Sequence, residues 1–239
     1  MSPKISASKR ARGATKLRYA ISGAENEKRQ AIIDACRGMN ALGINQGTSG
    51  NISVRHGEGM LITPTSVPYD WMTPEQIVFM AMDGSFAEGQ RPSSEWRFHL
   101  DILRARPEIH AVVHAHPTYA TILAIMGLDI PPVHYMIAAA GGDNIRCAPY
   151  ATFGTPELSE YAVKALEGRF ACLLDHHGMI AIGPSLDRAL WLAVEVETLA
   201  RQYHGCLQIG KPPLLDSDEI ERVRQKMVGY GHTDRNSDQ

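Results

Sequence analysis

The run Ala111–His116, with the sequence AVVHAH, places two histidines at the end of a short apolar segment. Its apolar residues predict a short buried strand, and side chains along a strand alternate between its two faces. His114 and His116 therefore point to one face of a rigid element. Two imidazoles fill an apolar core poorly, but they suit two positions of a zinc site, which takes nitrogen, sulfur and carboxylate ligands. Because His-x-His is short and common, a pair of hydrogen-bonded or half-exposed histidines stays an alternative at this point.

A second pair of histidines, His176 and His177, lies inside an apolar run from Leu173 to Ile182. The pattern predicts two buried strands separated by a polar turn at Gly178. A buried neutral histidine needs a partner for each ring nitrogen, and a metal would supply one. Since adjacent residues of a strand face opposite ways, only one of the two histidines is expected to be a ligand.

A helix is predicted to begin after Ser93 or Ser94, either of which is a suitable N-cap. Glu95 would then lie in the first turn, where the helix dipole favours a carboxylate, and this local role is the simplest explanation for it. His99 follows one helical turn later on a similar face. It is a candidate for an additional ligand or for a group that supports one, and we expect it not to be a ligand.

The composition indicates one soluble domain. The chain has 239 residues, of which 44% are hydrophobic, and a net charge of −2, so it is long enough to bury a sizeable core. No apolar run approaches the roughly 18 residues of a membrane span, and near-neutral charge argues against nucleic acid as the main partner. The four cysteines have no CxxC spacing, which is typical of reduced thiols and favours the cytoplasm.

Charge and periodicity divide the chain into three parts. Residues 1–24 carry six Lys or Arg and no acid, which predicts a disordered basic tail, with a transit peptide as the alternative. Residues 25–232 are the predicted folded domain, and residues 233–239 are a predicted frayed tail. Within the domain, helices alternate with short strands and with a hairpin at His56–Gly59. This order predicts a single layered α/β domain with a central, mainly antiparallel sheet flanked by helices.

The loop Asn45–Asn51, with the sequence NQGTSGN, has the composition of an anion-binding loop. Its glycines permit unusual backbone angles, and its hydroxyl and amide side chains are donors. It lacks the Gly-Lys-Ser/Thr end of a Walker loop, and an ordinary turn is the alternative. Further hydroxyl residues at 63–66 and 93–94 add donors, and the set fits a small sugar phosphate.

Seven motifs, taken in order, resemble the class II, zinc-dependent aldolases of the fuculose-1-phosphate aldolase group. They are LGINQGTSGN, GMLITPTSVPYD, PSSEWRFH, AVVHAH, PPVHYMIAAAGG, CAPYATFGT and LLDHHGMIA, and the resemblance as a whole runs from about Glu27 to Gly231. Several motifs in series are far more specific than one alone. The resemblance implies the class II aldolase/epimerase-like fold, one Zn²⁺ per subunit with Mn²⁺ or Co²⁺ as alternatives, and a homotetramer with sites at subunit interfaces.

The same resemblance implies a set of site residues. The metal ligands would be Glu95, His114, His116 and His177. The substrate phosphate would contact Gly50, Asn51, Thr65, Ser66, Ser93 and Ser94. The catalytic tyrosine of the family matches Tyr135, and a second tyrosine near the C-terminus of the family matches Tyr230.

The implied reaction is reversible cleavage of a ketose 1-phosphate to dihydroxyacetone phosphate and a small aldehyde. The ketose would be L-fuculose 1-phosphate or a related 5-deoxypentulose or pentulose 1-phosphate. A Lewis-acid zinc would stabilise the developing oxyanion, and Glu95 would change from ligand to base. Tyr135 would act as the acid toward the aldehyde oxygen.

Other members of the superfamily leave alternatives open. They include ribulose-phosphate 4-epimerases, decarboxylases and a non-catalytic scaffold domain. Epimerases usually have aspartate at the position of Glu95, so glutamate favours the aldolase. Met227 stands where a phenylalanine is usual, which leaves the aldehyde partner undetermined.

Overall fold

A seven-stranded sheet forms the centre of the molecule in this computed structural model, which describes residues 21–227. The strands are β1 (Asn51–His56), β2 (Gly59–Ile62), β3 (Val78–Ala81), β4 (Ala111–Ala115), β5 (Arg146–Ala148), β6 (Ala171–Leu174) and β7 (Gly178–Gly183). They lie in the order β3-β2-β1-β4-β7-β6-β5. Only the β5–β6 pair is parallel among these strands, so the predicted mainly antiparallel sheet is confirmed.

Helices cover both faces of the sheet. They are α1 (Gly23–Ala41), α2 (Trp96–Ala105), α3 (Thr118–Ile125), α4 (Pro156–Ala165), α5 (Leu186–Ile209) and α6 (Ser217–Lys226). Short 3₁₀ turns occupy Tyr69–Trp71, Pro74–Gln76 and Tyr135–Ala140. Side-chain oxygens cap the N-termini of four helices, as small polar residues commonly do; the caps are Ser22, Thr155, Ser185 and Asp216.

The central strand β4 contributes to two separate hydrophobic clusters, one on each side of the sheet. Val112 packs in the cluster that contains Phe98 of α2, whereas Val113 packs in the cluster that contains Ile32 of α1. This alternation places His114 on the same side as Val112 and Phe98. The ring centroids of His114 and Phe98 are 5.3 Å apart, so the predicted strand presents its histidine toward α2.

The structure describes the N-terminal end of the predicted domain but not its C-terminal end at residue 232. α1 begins at Gly23, slightly before the predicted start of the domain at residue 25. Most of the predicted N-terminal tail, and all of the predicted C-terminal tail at 233–239, lie outside the described residues, as does Tyr230. None of the helices within residues 21–227 has the length and hydrophobicity that a membrane span requires.

Candidate functional site

Four side chains with metal-ligand chemistry meet beyond the end of β4. One ligand atom from each lies within 4.8 Å of the others, and the residues are Glu95, His114, His116 and His177. β4 supplies His114, which is fully buried, and the chain just after β4 supplies His116. His177 ends the turn between β6 and β7, while its neighbour His176 is exposed and lies outside the cluster.

Two local expectations about this region were wrong. α2 begins at Trp96 with Glu95 at the N-cap, because Ser93 is held in an extended segment where its backbone N–H donates to Thr63 O at 2.9 Å. The turn after β6 lies at residues 175–177, and Gly178 is the first residue of β7. A Cβ at Gly178 would lie 2.5 Å from the Ala115 carbonyl oxygen, so close approach to β4 excludes a side chain there.

The polar atoms of the cluster are arranged to receive a cation. His114 Nδ1 donates to the Met179 carbonyl oxygen at 2.9 Å, which leaves a lone pair on Nε2. That nitrogen lies 2.9 Å from His116 Nε2, so the two ring nitrogens converge on one point. Oε1 of Glu95 is buried without a hydrogen-bond partner, although it lies 3.1 Å from His177 Nε2. A metal ion between these atoms would satisfy all of them, so the residues fit a metal.

The charge states also suit ligands. Burial alone would raise the pKa of Glu95, but the adjacent His114 and His177 outweigh it and hold that pKa well below its usual range. Burial, together with the neighbouring histidines, lowers the pKa of His116 to about 3. An ionised carboxylate and a neutral imidazole are the forms that bind metals.

A cavity of about 390 Å³ opens beside the cluster. Its lining includes three of the four clustered residues, namely Glu95, His116 and His177. It also includes every residue expected to contact phosphate: Gly50, Asn51, Thr65, Ser66, Ser93 and Ser94. The structure therefore brings the predicted metal and phosphate residues to one place.

Three further lining residues, Tyr150, Phe153 and His176, were not predicted as site residues. Tyr150 and Phe153 belong to the motif CAPYATFGT, and their signal was the presence of large aromatic side chains outside any apolar periodicity. Both are largely exposed.

Ser66 and His176 are the non-glycine residues with positive φ in residues 21–227, at 58° and 53°, and backbone strain of this kind concentrates at functional sites.

The loop before β1 is held rigidly against the cluster. Tyr69 donates its hydroxyl to the Gly50 carbonyl oxygen at 2.5 Å. Asn45 Oδ1 accepts from Ser49 Oγ at 3.3 Å and from the His116 N–H at 3.4 Å. A Cβ at Gly50 would lie 2.7 Å from the His114 carbonyl oxygen, so only glycine lets the loop approach β4 this closely.

A buried polar network lies behind the cluster. Asn51 Nδ2 donates to Glu95 Oε2 at 2.8 Å, and Asn51 Oδ1 lies 2.5 Å from His99 Nε2. His99 Nδ1 in turn lies 2.8 Å from Ser53 Oγ. Burial lowers the pKa of His99 to about 3, so its ring is neutral. His99 lies outside the group of four clustered residues.

Tyr135 does not lie in this cavity. It begins the 3₁₀ turn Tyr135–Ala140, is 49% exposed, and lines a separate groove with residues that include Val133, Leu214 and Leu215. Within one chain, the structure joins the expected metal and phosphate residues and leaves the expected tyrosine apart.

Comparison with known proteins places this geometry in context. Residues 30–204 match the family described as Class II Aldolase and Adducin N-terminal domain. The chain is 53% identical over 211 residues to a 5-methylthioribulose-1-phosphate/5-deoxyribulose-1-phosphate aldolase of Rhodospirillum rubrum, covering 88% of this chain and 96% of that protein. It is also 53% identical over 207 residues to an L-fuculose phosphate aldolase of Escherichia coli, covering 86% and 96%. A solved L-fuculose 1-phosphate aldolase matches with a TM-score of 0.82 and 38% identity, covering 87% of this chain and 98% of that one.

Proposed function

Because the chain belongs to the class II aldolase and adducin N-terminal domain family, we propose that it reversibly cleaves a ketose 1-phosphate to dihydroxyacetone phosphate and a small aldehyde. The observation that carries this proposal is the single cavity shared by a Glu/His₃ cluster and a lining of amide and hydroxyl donors. Relatives named for L-fuculose phosphate and for 5-methylthioribulose 1-phosphate both support the substrate class.

Glu95, His114, His116 and His177 would hold one divalent ion, and zinc is the metal that we propose. Three imidazoles and one carboxylate form a donor set common in zinc sites. When bound, the metal would supply Lewis-acid stabilisation of negative charge on the substrate ketone. The chain itself orients the ligands, since the Met179 carbonyl fixes the tautomer of His114.

Glu95 is the proposed base at the carbon beside the carbonyl. Its Oε1 makes no hydrogen bond although His177 Nε2 lies 3.1 Å away, whereas its Oε2 accepts from Asn51, so one oxygen is free to take a proton while the other anchors the side chain. Glu95 is 5% exposed and lines the cavity, which excludes most water from that oxygen while leaving substrate access.

The phosphate would be held by neutral donors. Gly50, Asn51, Thr65, Ser66, Ser93 and Ser94 are the proposed contacts. Among the described residues that line the cavity there is no lysine or arginine, so backbone amides and hydroxyls would carry the recognition. Pre-positioning by Tyr69 and Asn45 supports this role, because the loop needs little ordering when the anion binds.

Tyr135 is proposed as the acid that serves the aldehyde oxygen, and its position then requires a second copy of the chain. Its hydroxyl belongs to a different surface groove of its own subunit. A homotetramer with sites at subunit interfaces would bring Tyr135 of one copy to the cavity of another, and Tyr230, outside the described residues, is the second proposed tyrosine. We further propose a cytoplasmic location, supported by the four free cysteines.

The test is a screen of purified, zinc-loaded protein against fuculose, deoxyribulose, ribulose and methylthioribulose 1-phosphates, with coupled detection of dihydroxyacetone phosphate. We expect release of dihydroxyacetone phosphate from at least one of them. Conversion of a pentulose 5-phosphate to its epimer, or release of carbon dioxide from a phosphorylated acid, with no dihydroxyacetone phosphate formed, would point to the epimerase or decarboxylase instead. No turnover with any of these would favour a scaffold.

A further inference from the structure

The network Ser53–His99–Asn51–Glu95 has a fixed direction, and the carboxylate sets it. The Glu95 carboxylate can only accept, so the amide nitrogen of Asn51 faces Glu95 Oε2 at 2.8 Å. The amide oxygen must then face His99, and it can only accept, so the hydrogen lies on His99 Nε2, 2.5 Å away. In a neutral ring Nδ1 is then an acceptor, and the Ser53 hydroxyl donates to it at 2.8 Å.

The network is also closed to water. His99 and Ser53 are fully buried and Asn51 is 5% exposed, so bulk solvent does not compete for these bonds. The ring of His99 is stacked on Phe98 with a centroid distance of 4.7 Å, which prevents it from rotating away. A rigid, buried chain of bonds of this kind transmits the orientation of one group to the next.

Asn51 connects the proposed phosphate lining to the metal cluster. It lines the cavity beside the loop donors, and its amide also binds the carboxylate of the cluster. If the amide were reversed, its oxygen would face Glu95 Oε2, and two acceptors would repel each other. The direction of the amide therefore decides whether Glu95 keeps Oε2 anchored and Oε1 free.

We infer that His99 and Ser53 are positioning residues, which lock the Asn51 amide by holding His99 in its Nε2–H tautomer and thereby select Oε1 of Glu95 as the reactive oxygen. The inference deepens the proposed function, because it assigns two residues that support the proposed base without touching substrate. Removing partners of this kind around a metal site typically costs about 10–100-fold in activity or metal affinity.

The direct test is nitrogen NMR on the full chain, labelled with ¹⁵N-histidine and loaded with Zn²⁺. His99 signals are assigned by their loss in His99→Gln. We expect a protonated Nε2 and an unprotonated Nδ1 for His99. The Ser53→Ala variant should move these signals toward averaging of the two tautomers, because Nδ1 has lost its donor. A protonated Nδ1 in the unaltered chain, or unchanged signals in Ser53→Ala, overturns the inference.

The kinetic test compares two substitutions of His99 that differ in side-chain length. Glutamine places an amide near the position of the original Nε2, whereas asparagine is too short to reach Asn51. At equal zinc content, His99→Asn should slow proton exchange on dihydroxyacetone phosphate about 10–100-fold, while His99→Gln recovers most of the rate. Equal losses in both variants would indicate a packing role and overturn the inference.

The tautomer measurement and the exchange rate distinguish failure of the positioning role from failure of the proposed function. Absence of proton exchange in the unaltered chain would overturn the proposed function, since every ketose 1-phosphate aldolase of this mechanism must move that proton. The tautomer of His99 is measured without substrate, so it decides the positioning role even in that case.

Discussion

The cluster around His114 and the groove around Tyr135 are built in opposite ways. His114 is fully buried, and the helix α2 and the strands β4 and β7 fix the cluster through contacts within one chain. Tyr135 is 49% exposed in an open apolar groove. One chain therefore builds the charged cluster by itself, whereas the tyrosine proposed as the acid lies on an exposed surface of that chain.

Metal binding by the buried cluster should be lost when one of its four proposed ligands is removed. His177→Ala is expected to lose its metal and to lower the cleavage rate about 10³-fold or more, because a bound metal supplies several kcal/mol to such reactions. His176→Ala is the matched control, since His176 is adjacent but exposed and outside the cluster. Metal analysis and a dihydroxyacetone phosphate assay check both. Equal metal content in the two variants would contradict the proposed ligand set.

The two groups proposed to transfer protons, Glu95 in the buried cluster and Tyr135 in the exposed groove, should fail in different ways. Glu95→Gln and Tyr135→Phe are each expected to slow cleavage about 10²-fold or more, as is typical when a proton-transfer group is lost. Only Glu95→Gln should abolish deuterium exchange on dihydroxyacetone phosphate.

Mixing the two variants tests whether one site is shared between two copies of the chain. After denaturation and reassembly, random assortment should restore activity at about one site in four, because an intact Glu95 then meets an intact Tyr135 from a neighbour. Recovery shows a shared site, whereas a mixture as inactive as its components would place Tyr135 elsewhere.

The phosphate lining should show an intermediate effect. Ser94→Ala is expected to raise KM for the ketose 1-phosphate about 10-fold, since a hydrogen bond to a charged group is worth roughly 1.5–3 kcal/mol. Metal content should stay the same. Thr198→Ala is the control, because that hydroxyl donates to the Val194 carbonyl of its own helix. A larger KM change with the unphosphorylated ketose than with the phosphate ester would contradict this role.

The last prediction concerns the pH dependence of the free energy of unfolding, to which the buried His99 contributes. The folded-state pKa of His99 is about 3, below the unfolded value near 6.5, so the unfolded chain binds the extra proton first. The stability that His99 contributes is complete above about pH 6.5 and is lost as pH falls toward 3, with about 2 kcal/mol gone by pH 5. The ring faces Asn51 and Ser53 and feels the charges of His114 and Glu95.

Urea unfolding at several pH values measures this dependence. His99→Gln should flatten the difference between pH 6.5 and pH 5 relative to the unaltered chain. An identical pH profile in the variant would show that other groups, such as the clustered histidines, account for the acid sensitivity.

Much of the fold was accessible from local patterns. Alternation in AVVHAH predicted both the strand and the shared direction of His114 and His116, because the period of a strand is a covalent property of the backbone. The hairpin signal at His56–Gly59 likewise predicted the pairing of β1 with β2. The predictions that failed concern residues whose positions are set by distant contacts. The backbone N–H of Ser93 is hydrogen-bonded to Thr63 O, and the close approach of β4 leaves no room for a side chain at Gly178.

The candidate site was accessible only in part. The resemblance carried by the seven motifs predicted that Glu95 lies beside the histidines. No local sequence pattern could have predicted it, because these residues are far apart in the chain. The direction of the Asn51 amide was beyond sequence reasoning, because it depends on His99 and Ser53 meeting in three dimensions. The motif around Tyr135 did not predict that this residue lies in a groove separate from the cluster, because the groove is formed with Leu214 and Leu215, far away in the sequence.

The central place of β4 has a consequence for thermal inactivation. β4 is hydrogen-bonded on one side to β1 and on the other to β7, so its backbone opens only when the whole sheet comes apart. His114 therefore cannot be displaced by a local fluctuation of the kind that disorders a surface loop. As the protein is heated, His114 should stay in place until the fold itself is lost, and a folded chain with a displaced His114 should not accumulate.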